Sequence, residues 1–355
     1  MHLGAYTQFP EKVQLTALCD IVEDTVRKRA KQARVDAIYT DYTKLLKEAD
    51  VDAVDICTTH DQHAPIAIAA AEAGKHVLLE KPMAITMQEC RDIIAATDKA
   101  GVTFMVAHDL RYLPSYQGVR QLIDEGELGR IWGARADVWQ HIVLSRPALP
   151  PRFSELSEAA RWRFDGKRSG GASLINAAVH HVDILRYFVG DINRVTGTCW
   201  TDHPVFTNNA EDRAMAMIEF ENGAIGHISN SWTTRTPWSF QFMLFGEEGT
   251  VYSDPPPLKG NALEQFLAPA MVSSTKRDKE GEELMDRFRT FVPVPVNENL
   301  PSDDPYINEI IHFAECCQEG KEPISSGKEN LGTMKVIFGI YESSRTGKTV
   351  DLASL

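Results

Sequence analysis

The feature that most constrains this chain is the alternation of short apolar strands with helices through its first 112 residues. Gly74 ends one helical stretch, and Thr86 with Glu89 three positions later has the pattern that begins another. Strands that alternate with helices of about a dozen residues form right-handed βαβ units and a parallel sheet. The predicted strands are 13–20, 52–58, 76–80 and 103–107, and the predicted helices are 22–33, 65–74 and 86–101.

Polar residues follow each predicted strand directly. Ligands of open parallel sheets bind at the carboxyl ends of the strands. Loops are polar in any protein, so one such residue proves little, but four strand ends in succession predict a binding crevice at this edge. The residues at the four ends are Asp20, then Thr58, Thr59 and His60, then Glu80 and Lys81, then His108 and Asp109.

The front of the expected fold is incomplete. A dinucleotide-binding fold begins with a strand, a G-x-G-x-x-G turn and a helix, and an acid about 20 positions later binds the ribose. Asp20 suits that acid, but the glycine turn then falls at or before residue 1, and 2–12 is the end of the first helix. Either the natural protein begins upstream, which the intact downstream pattern favours, or the chain has lost cofactor binding.

The absent first strand has two expected consequences. It would lie between the strands that end at Asp20 and Thr58, so both strands should have an unpaired edge. The amides of the glycine turn and helix start normally hold the pyrophosphate, so the chain as written is expected to bind a dinucleotide poorly.

The pattern changes after Pro114 to longer strands with polar alternation, which predicts an antiparallel sheet. Asn222-Gly223 is the dipeptide of a tight hairpin turn. Helices are expected around 172–189 and 306–318, and 253–304 is expected to form loops near the substrate entrance. The predicted strands are 131–142, 212–220, 223–232 and 239–245.

Three motifs resemble those of the glucose–fructose oxidoreductase/inositol dehydrogenase (Gfo/Idh/MocA) family. They are AGKHVLLEKPM (73–83), WRFDGKRSGGASLINAAVHHVDILRYFVG (162–190) and the tail from PYINEIIHF to SSRTGKTVDL (305–352). The resemblance covers nearly the whole chain. It implies an α/β fold: a Rossmann-like parallel sheet without its first strand, followed by an α+β domain with a large, mostly antiparallel, open-faced sheet. The implied domains are 1–113, which binds the dinucleotide, and 114–355, which binds substrate and oligomerises.

The resemblance also implies roles for individual residues. Asp20 and Ile21 would contact the adenosine ribose, and Glu80 and Lys81 the nicotinamide end. His180 would be the catalytic base. Tyr306 would lie in the substrate pocket together with Asn176 and His180, and the other implied cofactor-lining residues are Thr58, Thr59, His60, His63, His108, Trp162 and Arg163.

The chemistry of alcohol oxidation suits His180, because a neutral imidazole can take the hydroxyl proton at neutral pH. In the helix after Gly171, apolar residues line one face, and Asn176, His180, Asp183 and Tyr187 form a neighbouring polar stripe by their spacing. A buried structural histidine satisfied by Asp183 is the alternative.

Lys81 and Asn176 are the other two catalytic candidates. Pro82 keeps Lys81 out of the helical region, and its ammonium could polarise the developing alkoxide. Many family members carry aspartate where this chain has Asn176. An amide can bind a substrate hydroxyl but cannot stabilise an imidazolium by charge.

Composition excludes several classes of function. The net charge of −13 argues against nucleic acid and anionic membranes as partners, and no apolar run is long enough to span a bilayer. Without a secretory signal, and with six scattered cysteines expected to be reduced thiols, the chain is predicted to be cytoplasmic. His60-x-x-His63 and His180-His181 lack further ligands at suitable spacing, so no metal is expected.

The sequence therefore predicts an NAD-linked dehydrogenase that acts on a secondary hydroxyl of a sugar, inositol or glycoside. NADP is less favoured, because Asp20 would repel its 2′-phosphate and no arginine follows within the next few positions. A cofactor-retaining or epimerase-like step on a sugar nucleotide is another enzymatic possibility. The alternative from a different class is a non-catalytic sugar sensor, which Lys81 and His180 together oppose. The family implies a homodimer or homotetramer built through the second-domain sheet.

Overall fold

The chain divides into two compact units. Unit 1 comprises Met1–Tyr112 and Leu300–Leu331, and unit 2 comprises Leu113–Asn299 and Gly332–Leu355. The break after Tyr112 falls beside the predicted boundary, whereas Leu300–Leu331 was expected in the second domain and belongs to unit 1. The computed structural model describes residues 2–140, 142, 161–234, 239–253, 270–274 and 291–355.

The packing of helix Pro305–Glu319 explains this difference. One face of the helix carries Ile307, Ile310, Ile311 and Phe313, which share a core with residues of the first 112. Burial of an apolar helix face follows its packing partner rather than its position in the sequence. The partners in this core include Ala5, Leu78, Met105, Ala107 and Tyr112.

The parallel strands of unit 1 form two separate sheets. Ala53–Ile56, His76–Glu80 and Phe104–Ala107 pair in parallel in that order. Ala17–Cys19 pairs in parallel with Ala37–Tyr39, a strand that the sequence analysis missed. Within the part of the chain that the structure describes, no strand joins Ala17–Cys19 to Ala53–Ile56. The predicted pair of unpaired edges is confirmed for these residues.

The predicted helix signals of unit 1 are confirmed in detail. Thr86 Oγ1 accepts a hydrogen bond from the Glu89 N–H at 3.1 Å, and the Glu89 carboxylate accepts one from the Ile85 N–H at 3.1 Å. The same helix ends at Gly101, which has the left-handed backbone that favours glycine. The helices of unit 1 are His2–Tyr6, Glu23–Ala33, Tyr42–Glu48, His63–Glu72, Met87–Ala100 and Pro305–Glu319, with 3₁₀ turns at His60–Gln62 and Asp109–Tyr112.

Unit 2 is built on a mixed sheet in which nine strands are described. Neighbouring strands run antiparallel except for one parallel pair, Ile131–Trp139 with Ile225–Ser231. Asn222 and Gly223 connect two antiparallel strands, as predicted. In spatial order the strands are Val292–Pro293, Ala270–Ser274, Gly249–Ser253, Ser239–Gly246, Ile131–Trp139, Ile225–Ser231, Arg213–Phe220, Ile192–Trp200 and Val350–Asp351.

Part of the segment expected to be loops is instead β-structure. Ala270–Ser274 pairs antiparallel with Gly249–Ser253, and alternate residues of this short strand are buried. The prediction that 253–304 forms loops is therefore wrong for these five residues, because the polar and small residues on either side concealed a half-buried strand. It is also wrong for Ser253, which ends a strand, and for the short strand Val292–Pro293. Residues 254–269 and 275–290 of the predicted loop lie outside the described residues.

Along the chain, the described helices of unit 2 lie before, between and after the strands of this sheet. A π-helical segment at Leu174–Ala178 continues into the α-helix Val179–Val189, close to the predicted 172–189. The other helical segments are Pro114–Asp124, Trp162–Phe164, Gly166–Ser169 and Leu352–Ser354, and Gly327–Thr346 runs from unit 1 into unit 2. Among the described residues, no helix is both long and apolar enough to cross a membrane.

Candidate active site

The central strand of unit 1 ends in a turn that holds Glu80, Lys81 and Pro82. The Lys81 N–H donates to Glu80 Oε2 at 3.1 Å. His63 Nδ1 donates to the Pro82 carbonyl oxygen at 2.8 Å, which places the proton of the neutral ring on Nδ1. Burial lowers the pKa of His63, so the ring is neutral near pH 7. Three of the predicted site residues are thus brought together at one strand end.

The next strand end carries Thr58, Thr59 and His60. Thr58 is exposed, and Thr59 Oγ1 donates to Asp61 Oδ1 at 2.6 Å as the chain enters a 3₁₀ turn. His60 is buried with its ring centroid 5.4 Å from that of His63. The turn therefore packs beside the one that carries Glu80.

His108 and Tyr306 occupy different positions in unit 1. His108 follows Phe104–Ala107, is buried, and its Nε2 accepts a hydrogen bond from Asn330 Nδ2 at 2.6 Å. Tyr306 is half-buried at the start of its helix, with its ring 5.6 Å from His2. Burial raises the pKa of Tyr306, and Asp109 and Glu80 add to the effect, so the phenol keeps its proton and can donate a hydrogen bond.

Asp20 and Ile21 directly follow the strand Ala17–Cys19 of the two-stranded sheet. The Asp20 N–H donates to the Tyr39 carbonyl at 3.2 Å, and Asp20 Oδ1 accepts from the Val22 N–H at 2.8 Å. The Ile21 side chain is 88% exposed. Since this sheet is not hydrogen-bonded to the strand that carries Glu80, the two predicted cofactor-binding regions of unit 1 are held by separate backbone networks.

Sequence reasoning missed one group of residues at this edge. His2 Nδ1 lies 2.7 Å from Asp55 Oδ2, and His2 Nε2 lies 3.1 Å from Glu80 Oε1. The Tyr6 hydroxyl also donates to Asp55 Oδ2, at 3.0 Å. The available signals were a histidine among small and apolar residues and an aspartate inside the apolar strand Ala53–Ile56. Residues 2–12 were interpreted only as the end of a helix, so neither signal was used.

In unit 2, Asn176 and His180 lie on one continuous helix. Asn176 is in the π-helical segment and is 9% exposed, whereas His180 follows in the α-helix and is half-buried. π-helical turns are rare and occur frequently at functional sites. This chain has such a turn at Asn176, directly before the α-helix that carries His180.

The predicted polar stripe of this helix is not a single surface. Asp183 is fully buried and accepts a hydrogen bond from Thr333 Oγ1 at 3.1 Å. The Tyr187 hydroxyl accepts from Gln117 Nε2 at 3.4 Å. The π-helical turn changes only the spacing between Asn176 and His180. Asp183 and Tyr187 lie in the regular α-helix, and their surroundings differ because different segments pack against them.

A carboxylate from a neighbouring segment holds the start of this helix. Glu211 is 2% exposed and accepts hydrogen bonds from the N–H groups of Ala172 at 2.9 Å and Leu174 at 2.6 Å. Burial raises the pKa of Glu211 to about 7, although the backbone donors oppose the rise. Sequence reasoning missed Glu211, because its contact with the helix joins residues nearly forty positions apart.

Trp162 and Arg163 lie in a 3₁₀ turn, Trp162–Phe164, that the short helix Gly166–Ser169 separates from this helix. Trp162 is buried, and the Arg163 guanidinium carbon lies 4.7 Å from the centre of its ring. The turn is joined by backbone hydrogen bonds to Thr207, so it is part of the unit 2 framework.

Comparison with known proteins places the chain in a family. A family model described as an oxidoreductase family with an NAD-binding Rossmann fold matches residues 1–108, and the GFO/IDH/MocA C-terminal domain matches residues 116–252. D-apiose dehydrogenase of Paraburkholderia graminis is 27% identical over 363 residues, which cover 100% of this chain and 87% of the relative. Myo-inositol 2-dehydrogenase of Thermotoga maritima is 24% identical over 331 residues, which cover 92% of this chain and 86% of the relative.

A solved structure shows the same fold. Levoglucosan dehydrogenase in complex with NADH and L-sorbose superposes with a TM-score of 0.83 at 24% identity, over 99% of this chain and 95% of that chain. The match extends across both units, and the two family models together cover well over half of the sequence. This chain belongs to the Gfo/Idh/MocA oxidoreductase family.

Proposed function

We propose that this protein is an NAD-dependent dehydrogenase or reductase that acts on a secondary hydroxyl of a sugar, inositol or glycoside. The observation that carries the proposal is the turn Glu80-Lys81-Pro82 at the carboxyl end of a central parallel strand. The Glu80 carboxylate accepts the N–H of Lys81, and His63 donates to the carbonyl of Pro82. Family membership supports the reaction class. The relatives named for apiose and inositol, and the solved relative that holds NADH with a sugar, support the substrate class.

The residues at the sheet edge fit a dinucleotide of the NAD type. The bound cofactor supplies the hydride acceptor or donor. Asp20 offers a carboxylate for the ribose hydroxyls, and Ile21 beside it is exposed. The nearest arginine along the chain, Arg27, is paired with Glu23 at 2.9 Å, so it does not offer an uncommitted cation to a 2′-phosphate. These charges favour NAD over NADP.

Four side chains would act on the substrate. His180 would take the hydroxyl proton as hydride leaves the carbon, because a half-buried imidazole can accept a proton at neutral pH. The Lys81 ammonium would stabilise negative charge that develops on a substrate oxygen. Asn176 would hydrogen-bond a neighbouring hydroxyl, and the protonated phenol of Tyr306 could donate to another.

We further propose that the protein assembles with itself through the open face of the unit 2 sheet. Four large apolar side chains on this face are between 43% and 55% exposed, an arrangement more typical of an interface than of a free surface. They come from three adjacent strands whose register aligns them on one face. The four residues are Trp200, Met215, Met217 and Ile225.

The function is tested by mixing the full chain with NAD+ at millimolar concentration, so that weak dinucleotide binding is compensated, and a panel of myo-inositol, scyllo-inositol, D-glucose, D-xylose and levoglucosan, and following NADH absorbance. Turnover of at least one compound is expected. His180→Ala should reduce that turnover about 10²–10⁴-fold, the usual loss for a positioned general base. His203→Ala, a half-buried histidine of the same unit, is the matched control and should keep it. Near-normal turnover in His180→Ala would refute the assigned base.

A further inference from the structure

The ring of His2 lies between two carboxylates from different strands. Asp55 Oδ2 is 2.7 Å from His2 Nδ1, and Glu80 Oε1 is 3.1 Å from His2 Nε2. The side chain of His2 is 7% exposed and its ring packs against Tyr306. We call His2, Asp55 and Glu80 the His2 cluster.

The two contacts of the His2 ring differ in kind. His2 Nδ1 is hydrogen-bonded to Asp55 Oδ2 at 2.7 Å, whereas the approach of His2 Nε2 to Glu80 Oε1 at 3.1 Å is an ion pair by distance. An ionised carboxylate attracts a protonated ring and repels a ring nitrogen that presents a lone pair. A carboxylate oxygen beside each ring nitrogen therefore favours an imidazolium at His2.

The surroundings agree with this charge. Burial alone would lower the pKa of His2, but Asp55, Cys57 and Glu80 outweigh it, and the pKa is raised. Glu309 is fully buried and interacts with His2 through charge. Burial raises the pKa of Glu309 well above the usual range, and the charge of His2 opposes that rise. The titratable groups that face the cluster are Cys57 after the strand Ala53–Ile56, Tyr306 and Glu309 from the helix Pro305–Glu319, Tyr6 from the helix of His2, and Lys81 next to Glu80.

A metal site is the competing explanation for these residues. Ligand atoms of His2, Cys57 and Glu80 lie within 4.8 Å of one another. A metal ion, however, needs a deprotonated ring nitrogen, and both nitrogens of His2 already contact carboxylate oxygens. An imidazolium accounts for the contacts with Asp55 and Glu80 without an ion.

We propose that His2 is a positioning residue, which holds Glu80 so that the backbone of Lys81 is fixed for its role at the substrate oxygen. Glu80 Oε1 faces His2 while Glu80 Oε2 accepts the N–H of Lys81 at 3.1 Å, so one carboxylate links the imidazolium to the turn. Asp55 completes the arrangement by holding the other side of the ring, with its Oδ2 also bound by Tyr6. The catalytic consequence rests on the proposed function of Lys81, but the positioning does not.

The first test needs no turnover assay. In full-length protein labelled with ¹⁵N-histidine, the His2 ring should show both nitrogens protonated up to at least pH 8. In His2→Gln, the Lys81 amide should exchange with solvent at least tenfold faster, whereas His76→Gln, at the other end of the same strand, should leave it unchanged. A neutral His2 ring at pH 7, unchanged Lys81 exchange, or micromolar Zn²⁺ binding that is lost in His2→Gln would each overturn the proposal.

The second test uses turnover, if the panel provides a substrate. His2→Gln should reduce kcat about tenfold with little change in NAD+ affinity. Asp55→Asn should give kcat a new loss with rising pH, because His2 loses one of its two anionic partners and titrates within the assay range. Unchanged kcat and an unchanged pH profile in both variants would overturn the catalytic consequence. Absence of turnover in the wild type would refute the proposed function alone, since the amide exchange still reports the positioning.

Discussion

Glu80 in unit 1 and Glu211 in unit 2 both fix backbone beside a proposed catalytic residue, yet they are held differently. Glu80 is 28% exposed at its side chain and faces the imidazole of His2 at 3.1 Å. Glu211 is 2% exposed and is held by the N–H groups of Ala172 and Leu174. Because backbone donors do not fully offset burial, the pKa of Glu211 rises to about 7. The comparison indicates that the position of the Glu80 turn in unit 1 depends on paired charges, whereas the start of the helix held by Glu211 in unit 2 depends on close packing.

The largest expected effect tests the packing in unit 2. Gly171 has φ +153°, and a Cβ there would lie 2.0 Å from Tyr341 Oη and 3.1 Å from Glu211 Oε2. Backbone strain and the clash should together lower the free energy of unfolding of Gly171→Ala by about 4 kcal/mol. Urea denaturation measures the loss.

Gly223→Ala is the matched control for this change. Gly223 also has a positive φ, +85°, but no atom lies within 4 Å of the position its Cβ would take. Only the strain remains, so the expected loss is about 1 kcal/mol. Equal losses in the two variants would show that Tyr341 yields easily and that the surroundings of Glu211 are not closely packed.

The next largest expected effect is a pH dependence of the free energy of unfolding, which distinguishes Glu211 from a carboxylate with a cationic partner. A carboxyl whose pKa rises from 4.5 to about 7 on folding binds its proton more tightly in the native state. Its contribution to stability is complete below pH 4.5 and is lost as the pH rises through 7, a change of about 3 kcal/mol for 2.5 pKa units. Glu211→Gln should remove this dependence.

The measurement is the free energy of unfolding at pH 5 and pH 8 for wild type and variant. Other titrations are common to both proteins and cancel in the difference. Glu219→Gln, an exposed carboxylate paired with Arg194 at 3.0 Å, should leave the wild-type pH dependence in place. Parallel curves for wild type and Glu211→Gln would mean that Glu211 is ionised as easily as a solvated acid.

Local signals in the sequence predicted the parallel part of the fold well. The capping residues Thr86 and Glu89 and the terminal Gly101 mark the observed helix, because each acts on its own neighbours. Long-range partners were harder to predict. Helix Pro305–Glu319 packs with residues of the first 112, and no local pattern specifies which apolar face it will cover.

The candidate site shows the same division. Glu80 and Lys81 were found because they follow an apolar strand, and the structure ties their turn to His63. His2 and Glu211 were missed because their partners lie far away in sequence. The roles of Lys81, His180, Asn176 and Tyr306 in catalysis stay predictions.

A smaller effect tests charge in unit 1. If the Asp20 carboxylate selects NAD by repelling a 2′-phosphate, Asp20→Asn should narrow the affinity ratio of NAD to NADP about tenfold, or about 1.4 kcal/mol. Fluorescence titration with both cofactors measures the ratio. Asp24→Asn, an exposed acid on the following helix, should change it much less. A wild type that prefers NADP would refute the proposed cofactor.

The smallest effect on folding concerns the open face of the unit 2 sheet. Met217 is 53% exposed there, so a charged side chain at this position stays solvated and should change the free energy of unfolding of the subunit by less than about 0.5 kcal/mol. The same charge would be buried if a second copy covered the face, so Met217→Lys should dissociate the assembly. Met217→Leu keeps the apolar surface and should preserve it. Size-exclusion chromatography with light scattering gives the mass of each protein, and a Met217→Lys variant with the mass of an oligomeric wild type would exclude this face as the interface.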